Sequence, residues 1–235
     1  MPSTYRSQFT SKHVVLPVIH VENARLTLRN MALARQAGCD GVFLINHGIS
    51  DEELLDLFKN VHQEYADWWV GLNCLGYTFK QTQLFPLLPK AVAGLWVDNA
   101  MIDHEAAVQK AAEAILKARR ASGWSGLYFG GVAFKYQNVV PQDKLATVSR
   151  LATQYMDVVT TSGPGTGSAA EVDKIRVMKD AIGDSPLAIA SGITPENVGD
   201  YLPYADCFLV ATGISKSFSQ LDADKVSQLM EVVRG

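Results

Sequence analysis

The sequence predicts a single (β/α)8 barrel, and three observations favour this fold. The length of 235 residues is usual for one such barrel. Hydrophobic residues make up 48% of the chain and charged residues only 19%, which is typical of a protein with a large core. Eight apolar, strand-like runs alternate with helical segments, a pattern that indicates a parallel sheet buried on both faces. An open, doubly wound sheet is the alternative, because periodicity does not show whether the sheet closes.

The first half of the chain contains four of the predicted strands. Ser50 and Glu53 have the spacing of a capping box, which indicates a helix start between the second and third strands. Phe79–Pro89 is rich in Phe, Leu and Pro and predicts a short or irregular helix. The strands are Val14–Val21, Gly41–Asn46, Trp68–Cys74 and Gly94–Asp98, and the regular helices are Ala24–Ala37, the one after Ser50, and His104–Ala121.

The second half continues the alternation without a linker, so residues 1–235 are expected to form one domain, with 1–12 as a flexible or peripheral segment. Gly130 and Gly131 interrupt the fifth strand, where a bulge is expected. The strands are Gly126–Phe134, Asp157–Thr161, Pro186–Ala190 and Cys207–Ala211, and the helices include Gln142–Gln154, Glu171–Ile182 and Ala223–Val233.

Charge and cysteine content narrow the class of protein. A net charge of −3 provides no basic field for nucleic acid or anionic lipid. Three scattered cysteines without metal-ligand spacing are typical of reduced thiols, so a cytoplasmic location is expected. The polar N-terminus has no hydrophobic signal core, and no run approaches the roughly 18 apolar residues of a membrane span.

Glycine-rich turns after the last three strands predict a phosphate site. TTSGPGTGS at 160–168, SGIT at 191–194 and ATGIS at 211–215 each follow an apolar strand. Glycine allows backbone N–H groups to approach an anion closely, and the last loops of this fold commonly hold phosphate. Ser215 is expected to begin a short extra helix that would add its dipole. The predicted phosphate-binding residues are Gly163, Gly165, Thr166, Gly167, Ser191, Gly192, Ile193, Thr212, Gly213 and Ile214.

Polar residues at the carboxyl ends of the other strands are candidates for chemistry, since sites of this fold form there. Asp98 suits acid/base work, or it caps a helix or pairs with Lys135. Lys135 is a candidate Schiff-base or general-base lysine, or it holds a phosphate or carboxylate by charge. His20 is a candidate proton carrier, or it is bonded to backbone. Further pocket residues are expected at Asn46, His47, Asn73 and Ser162.

The C-terminal half resembles the BtpA family, most clearly over residues 133–216. The shared features are the SGPGTG loop, the later SGITPEN segment, the TG pair after the last strand and a lysine at the position of Lys135. The resemblance implies a ribulose-phosphate-binding type of barrel and an association with photosystem I biogenesis, without a defined reaction. The three-loop phosphate grip also resembles tryptophan synthase α subunit and phosphoribosylanthranilate isomerase. The chain lacks the acidic strand-two residue of the first and the strand-one cysteine base of the second.

The leading hypothesis is an enzyme that acts on a small phosphorylated metabolite, a sugar phosphate or phosphoribosyl compound, by acid/base isomerase or lyase chemistry. A non-catalytic biogenesis or regulatory protein that keeps the barrel is the alternative. A metal-dependent hydrolase would require two or more of His20, His47 and Asp98 to converge, although no tight ligand motif is present. No cofactor is expected, and the apolar Phe79–Pro89 stretch is a candidate interface for a homo-oligomer.

Overall fold

The computed structural model describes residues 4–137 and 139–235 and shows a closed barrel of eight parallel strands. Each strand pairs with the next along the chain, and β1 pairs with β8 to close the sheet. The predicted (β/α)8 barrel is therefore confirmed, and the open sheet is excluded. The barrel strands are β1 Val14–Val21, β2 Gly41–Asn46, β3 Trp69–Asn73, β4 Gly94–Val97, β5 Leu127–Gly131, β6 Val158–Ser162, β7 Leu187–Ala190 and β8 Cys207–Val210.

Helices cover the outside of the sheet and bury their apolar faces against it. The predicted capping box is present, because Ser50 Oγ accepts from the Glu53 N–H and the Glu53 carboxylate accepts from the Ser50 N–H. The helices are α1 Tyr5–Gln8, α2 Ala24–Gln36, α3 Asp51–Glu64, α4 Gln81–Leu84, α5 Lys110–Ser122, α6 Leu145–Ala152, α7 Val172–Ile182, α8 Val198–Tyr201 and α9 Ala223–Arg234.

The barrel interior is filled by aromatic side chains rather than left open. Phe43 lies near its centre, with its ring centroid 5.1 Å from that of Trp69 and 5.2 Å from that of Phe129. These edge-on contacts fall in the range that stabilises aromatic pairs. A second apolar layer lies between the sheet and the helices. With both layers packed, the carboxyl ends of the strands are held rigidly.

Residues 4–9 close the opposite, N-terminal end of the barrel. Tyr5 and Phe9 are buried, the Tyr5 hydroxyl donates to the Asp206 carbonyl at 2.9 Å, and Phe9 packs on Trp69 at 5.2 Å. This part of the segment expected to be flexible or peripheral is therefore packed as a barrel floor. Residues 1–3 lie outside the described residues. Within the described ranges, no helix has the length and apolar character needed to cross a membrane.

Three local expectations are wrong. Residues 104–109 are not helical, because the Gln109 side chain bonds the Asp103 N–H and carbonyl, each at 2.8 Å, and so stabilises a loop. No helix begins at Ser215; β9 (Ser215–Ser217) instead pairs antiparallel with β10 (Gln220–Leu221). The expected bulge in β5 is absent from its pairings with β4 and β6, and Gly131 is required because a Cβ there would overlap the Asp98 carbonyl.

Candidate phosphate and acid/base site

Three loops at the carboxyl end of the barrel pack directly on one another. They are loop 6 (163–171), loop 7 (191–197) and loop 8 (211–214), which follow β6, β7 and β8. A Cβ on Gly192 would overlap the backbone of Ala169 in loop 6, and a Cβ on Gly213 would overlap the carbonyl of Ile193 in loop 7. Gly192 also has φ +73°, in the left-handed region that glycine adopts readily. The glycines therefore bring the three backbones into contact.

Part of the predicted phosphate set is used within the protein. The Thr166 N–H donates to the Tyr136 hydroxyl at 3.2 Å, and the Gly167 N–H donates to Ser191 Oγ at 2.9 Å. The Ile214 N–H donates to the Ala211 carbonyl at 3.0 Å. Gly163 packs beneath the loop, where a Cβ would overlap the Ser168 carbonyl. These positions support the loops.

Five other N–H groups of the set make no hydrogen bond to any described residue. Ile193 is buried, Gly165, Gly192 and Gly213 are half-buried and Thr212 is exposed, so most of these donors are open to an acceptor that enters the mouth. Successive N–H groups of this kind form an anion-binding concavity. The unpaired groups are those of Gly165, Gly192, Ile193, Thr212 and Gly213.

A cavity of about 410 Å³ lies between loops 6 and 8 and the end of β1. Lys216 lines it and makes no ion pair with a described residue, so its charge is available to a ligand. Sequence reasoning missed Lys216, although its position directly after the ATGIS turn could have indicated it. The lining residues are His20, Thr166, Thr212, Ser215, Lys216, Ser217 and Phe218.

Asp98 follows β4 at the mouth and is largely buried. Asn73 Nδ2, at the end of β3, donates to Asp98 Oδ1 at 3.2 Å. Burial raises the pKa of Asp98, and Lys135, the Asn73 hydrogen bond and His47 offset part of this effect. Asn73 Oδ1 is buried without a partner among the described residues. The structure thus places Asp98 and Asn73 together. The Asp98 carboxyl group holds its proton to a higher pH than an exposed aspartate does.

His20 and His47 meet at the mouth beneath an exposed aromatic ring. Their centroids are 4.8 Å apart, and Phe218 lies 4.1 Å from His20 and 5.3 Å from His47. Burial and the neighbouring imidazole lower the pKa of His20 to about 4, and burial also lowers the pKa of His47. Both rings are therefore neutral near pH 7. His20 Nδ1 is buried and has no partner among the described residues.

Lys135 lies on the phosphate side of the mouth, in loop 5 (132–137). Its Nζ donates to Thr166 Oγ1 at 3.2 Å, and its backbone N–H donates to Ser162 Oγ at 2.8 Å. No ion pair joins Lys135 to Asp98 among the described residues, so the pairing considered from the sequence is not formed. Ser162 Oγ also donates to the Gly163 carbonyl at 2.8 Å, so Ser162 supports loops 5 and 6, and it lines a cavity together with Lys135.

Asn46 is a structural residue, unlike the other strand-end candidates. Its Nδ2 donates to Asp51 Oδ1 at 2.9 Å and its Oδ1 accepts from the Leu75 N–H at 2.9 Å. These bonds use the side chain to join two loops. Within residues 4–137 and 139–235, no three His, Cys, Asp or Glu side chains are arranged to hold a metal ion.

Comparison with solved structures supports the fold at low sequence identity. The geranylgeranylglyceryl phosphate synthase of Thermoplasma acidophilum, solved with sn-glycerol-1-phosphate, superimposes with a TM-score of 0.69 at 15% identity over 98% of each chain. Tryptophan synthase α subunit from Legionella pneumophila superimposes with a TM-score of 0.66 at 12% identity over 94% of this chain and 93% of its own. At these identities the likeness concerns the fold alone.

A curated relative at higher identity covers only part of the chain. N-(5'-phosphoribosyl)anthranilate isomerase of Natronomonas pharaonis is 35% identical over 83 residues, which is 34% of this chain and 39% of that enzyme. The matched stretches span 30% to 39% of the curated relatives. The BtpA family model matches residues 100–235, which is more than half of the chain and includes all three glycine-rich loops. The resemblance in the sequence is thereby confirmed, and the chain belongs to the BtpA family.

Proposed function

We propose that the protein is an enzyme that binds a small phosphorylated metabolite, a sugar phosphate or phosphoribosyl compound, and catalyses an acid/base isomerase or lyase reaction on it. One observation carries the proposal: Thr212, whose N–H makes no hydrogen bond to a described residue, lines a cavity together with Lys216 and Thr166. A phosphate bound there would accept several hydrogen bonds and meet a positive charge. The net charge of −3 supplies no long-range attraction, so local contacts must hold the anion.

The acid/base half of the proposal rests on Asp98. A carboxyl group whose pKa is raised by burial exchanges a proton closer to neutral pH than an exposed one does. Asn73 fixes one carboxylate oxygen through its Nδ2, which leaves the other oxygen for the substrate. A proton next to a carbonyl carbon could then be removed and returned at a neighbouring carbon, as isomerisation requires.

His20 and Lys135 complete the proposed site in different roles. Neutral His20 lines the cavity with its ring 4.1 Å from that of Phe218, and this position suits contact with the part of a substrate that lies away from the phosphate. Lys135 lies against Thr166, and this position favours binding of phosphate charge over formation of a Schiff base at the carbons near Asp98. The two enzymes named in the comparisons that bind phosphorylated compounds are consistent with such a substrate class.

A ligand-stabilisation screen tests this proposal. Thermal unfolding is measured with inorganic phosphate, glycerol 1-phosphate and ribose 5-phosphate, and with glycerol and ribose as matched controls without phosphate. A ligand that binds only the native state stabilises it by about 2.7 kcal/mol at one hundred times its Kd, so the phosphorylated compounds should raise the unfolding temperature and the controls should not. Equal effects of ribose and ribose 5-phosphate, or no effect of any compound, would overturn the proposal.

A further inference from the structure

Lys174 is a partly buried cation that the proposed chemistry does not use. It lies in the first turn of α7, with its side chain largely buried. Its Nζ donates to the Ala133 carbonyl at 2.6 Å and to the Ser162 carbonyl at 2.7 Å. No carboxylate lies within ion-pair distance of it among the described residues. A burial of this kind costs free energy, so its position calls for an explanation.

The helix itself does not favour a lysine at position 174. The N-terminal end of a helix carries partial positive charge, and a cation in the first turn is destabilising there. Burial lowers the pKa of Lys174 to about 8, with Glu171 offsetting part of that effect. Both effects oppose an ammonium group at this place. The two carbonyl contacts, together with the charge of Glu171, are the interactions that favour it.

Those two carbonyls lie at the bases of the loops that form the site. Ala133 belongs to loop 5 and has φ +47°, a left-handed conformation that is unfavourable for a residue with a side chain. Lys135, two residues later, is further tied to β6 through Ser162 Oγ. Ser162 ends β6 immediately before loop 6. One ammonium group thus joins the start of the Lys135 loop to the start of the glycine-rich loop.

We propose that Lys174 is a positioning residue that sets loops 5 and 6 in register for anion binding, without contacting the ligand itself. The inference rests on the proposed phosphate site, because its consequence is the alignment of Lys135 with Thr166. Hydrogen bonds from a charged donor are stronger than those between neutral groups, so the two carbonyl contacts can hold a strained loop residue in place. Loss of the ammonium would let the two loops move independently.

The test compares Lys174→Met with Lys179→Met. Lys179 lies on the same helix and also bonds a carbonyl, that of Ser185 at 3.0 Å, but its carboxylate partner Asp206 is at the opposite end of the barrel. Amide hydrogen exchange of the unliganded proteins should be faster than wild type in residues 132–137 and 162–168 for Lys174→Met only. Lys174→Gln retains a hydrogen-bond donor, so its amide exchange in these residues should be intermediate between wild type and Lys174→Met. This variant replaces Lys174→Met in the test if the methionine variant does not fold.

The second measurement is the affinity for inorganic phosphate. Lys174→Met should weaken it about tenfold, since misaligned loops lose a charge-assisted contact, whereas Lys179→Met should match wild type. Unchanged exchange in both loops, or equal changes in the two methionine variants, would overturn the role of Lys174. If the wild-type protein binds no phosphate, the proposed function fails, and the exchange comparison still decides whether Lys174 orders the loops.

Discussion

The two sides of the barrel mouth are built from different parts of the polypeptide. On the side of β6 to β8, the groups available to a ligand are backbone N–H groups, which closely packed glycine-rich loops leave unpaired among the described residues. On the side of β1 to β4, they are the side chains of His20, His47 and Asp98, whose pKa values burial has shifted. On the β6 to β8 side, phosphate binding would depend on glycines that have no Cβ atom. On the β1 to β4 side, the reaction would depend on which titratable side chains are present.

This contrast indicates which changes should separate binding from chemistry. A substitution that leaves the backbone in place but changes a titratable group should affect the rate and spare phosphate affinity. A substitution that adds one methyl group to a packed glycine should do the reverse. The two kinds of substitution can therefore be compared directly by experiment.

Asp98→Asn should have the largest effect. It keeps the shape and the contact with Asn73 but removes the proton-carrying group, and loss of a general acid/base lowers kcat about 10²–10⁴-fold. Affinity for inorganic phosphate should stay within about twofold of wild type, since Asp98 lies away from the three loops. The rate is measured with a substrate found in the ligand screen.

The matched control is Asp67→Asn, which changes an exposed carboxylate paired with Arg35 on the outside of the barrel. This variant should turn over at the wild-type rate. Full activity in Asp98→Asn would show that Asp98 is not the general acid or base. The hypothesis that the three loops bind phosphate would not be affected by that result.

Gly213→Ala should weaken phosphate binding about tenfold or more. The added Cβ would overlap the Ile193 carbonyl, so loops 7 and 8 must separate and their N–H groups no longer converge. Overpacking of this kind also costs about 1–3 kcal/mol of stability. Calorimetry measures the loss of phosphate affinity. Urea unfolding in the absence of phosphate measures the loss of stability, so the two effects can be separated.

Gly199→Ala makes the same chemical change where a Cβ meets no atom within 4 Å. It lies in α8, where the replacement should be neutral or stabilise by a few tenths of a kcal/mol. A folded Gly213→Ala protein that binds phosphate as wild type does would contradict the backbone-built site.

The contrast also explains what could be predicted from the sequence. Strands and glycine-rich loops follow local rules of apolar runs and conformational freedom, and β1 and β2 begin and end where those rules place them. Gln109 and Asn46 depart from expectation because each side chain bonds backbone or side chains of a loop that only the fold brings near. The absence of an ion pair between Lys135 and Asp98 among the described residues and the contact of Lys135 with Thr166 are likewise tertiary facts.

The segment around Ser215 and Lys216 shows a second reason why a structural prediction from the sequence failed. The sequence pattern after β8 favours a helix start, whereas the chain forms a two-stranded hairpin that carries Lys216 to the cavity and Phe218 over the histidines. A hairpin with two strands of three and two residues has almost no periodicity to detect. The hairpin pairing and the place of Phe218 over the histidines therefore required the structure.

The smallest expected effect concerns the histidine side and appears as a pH dependence of stability. The pKa of His20 is lowered from its ordinary value of 6.5 to about 4 in the folded protein, so between these values the unfolded chain binds more protons. The contribution of His20 to stability is fully present above pH 6.5 and is lost as the pH falls to about 4. Because the ring is partly exposed, the loss should be on the order of 1 kcal/mol.

His20→Gln removes this titration, so urea unfolding across the same pH window should show a shallower loss of stability in the variant than in the wild type. His47 is retained in both proteins, so the comparison reports the removal of His20 together with its interaction with His47. Identical slopes would show that the ring of His20 is solvated enough to titrate normally. The β1 side of the mouth would then lack the desolvation that distinguishes it from the backbone-built side.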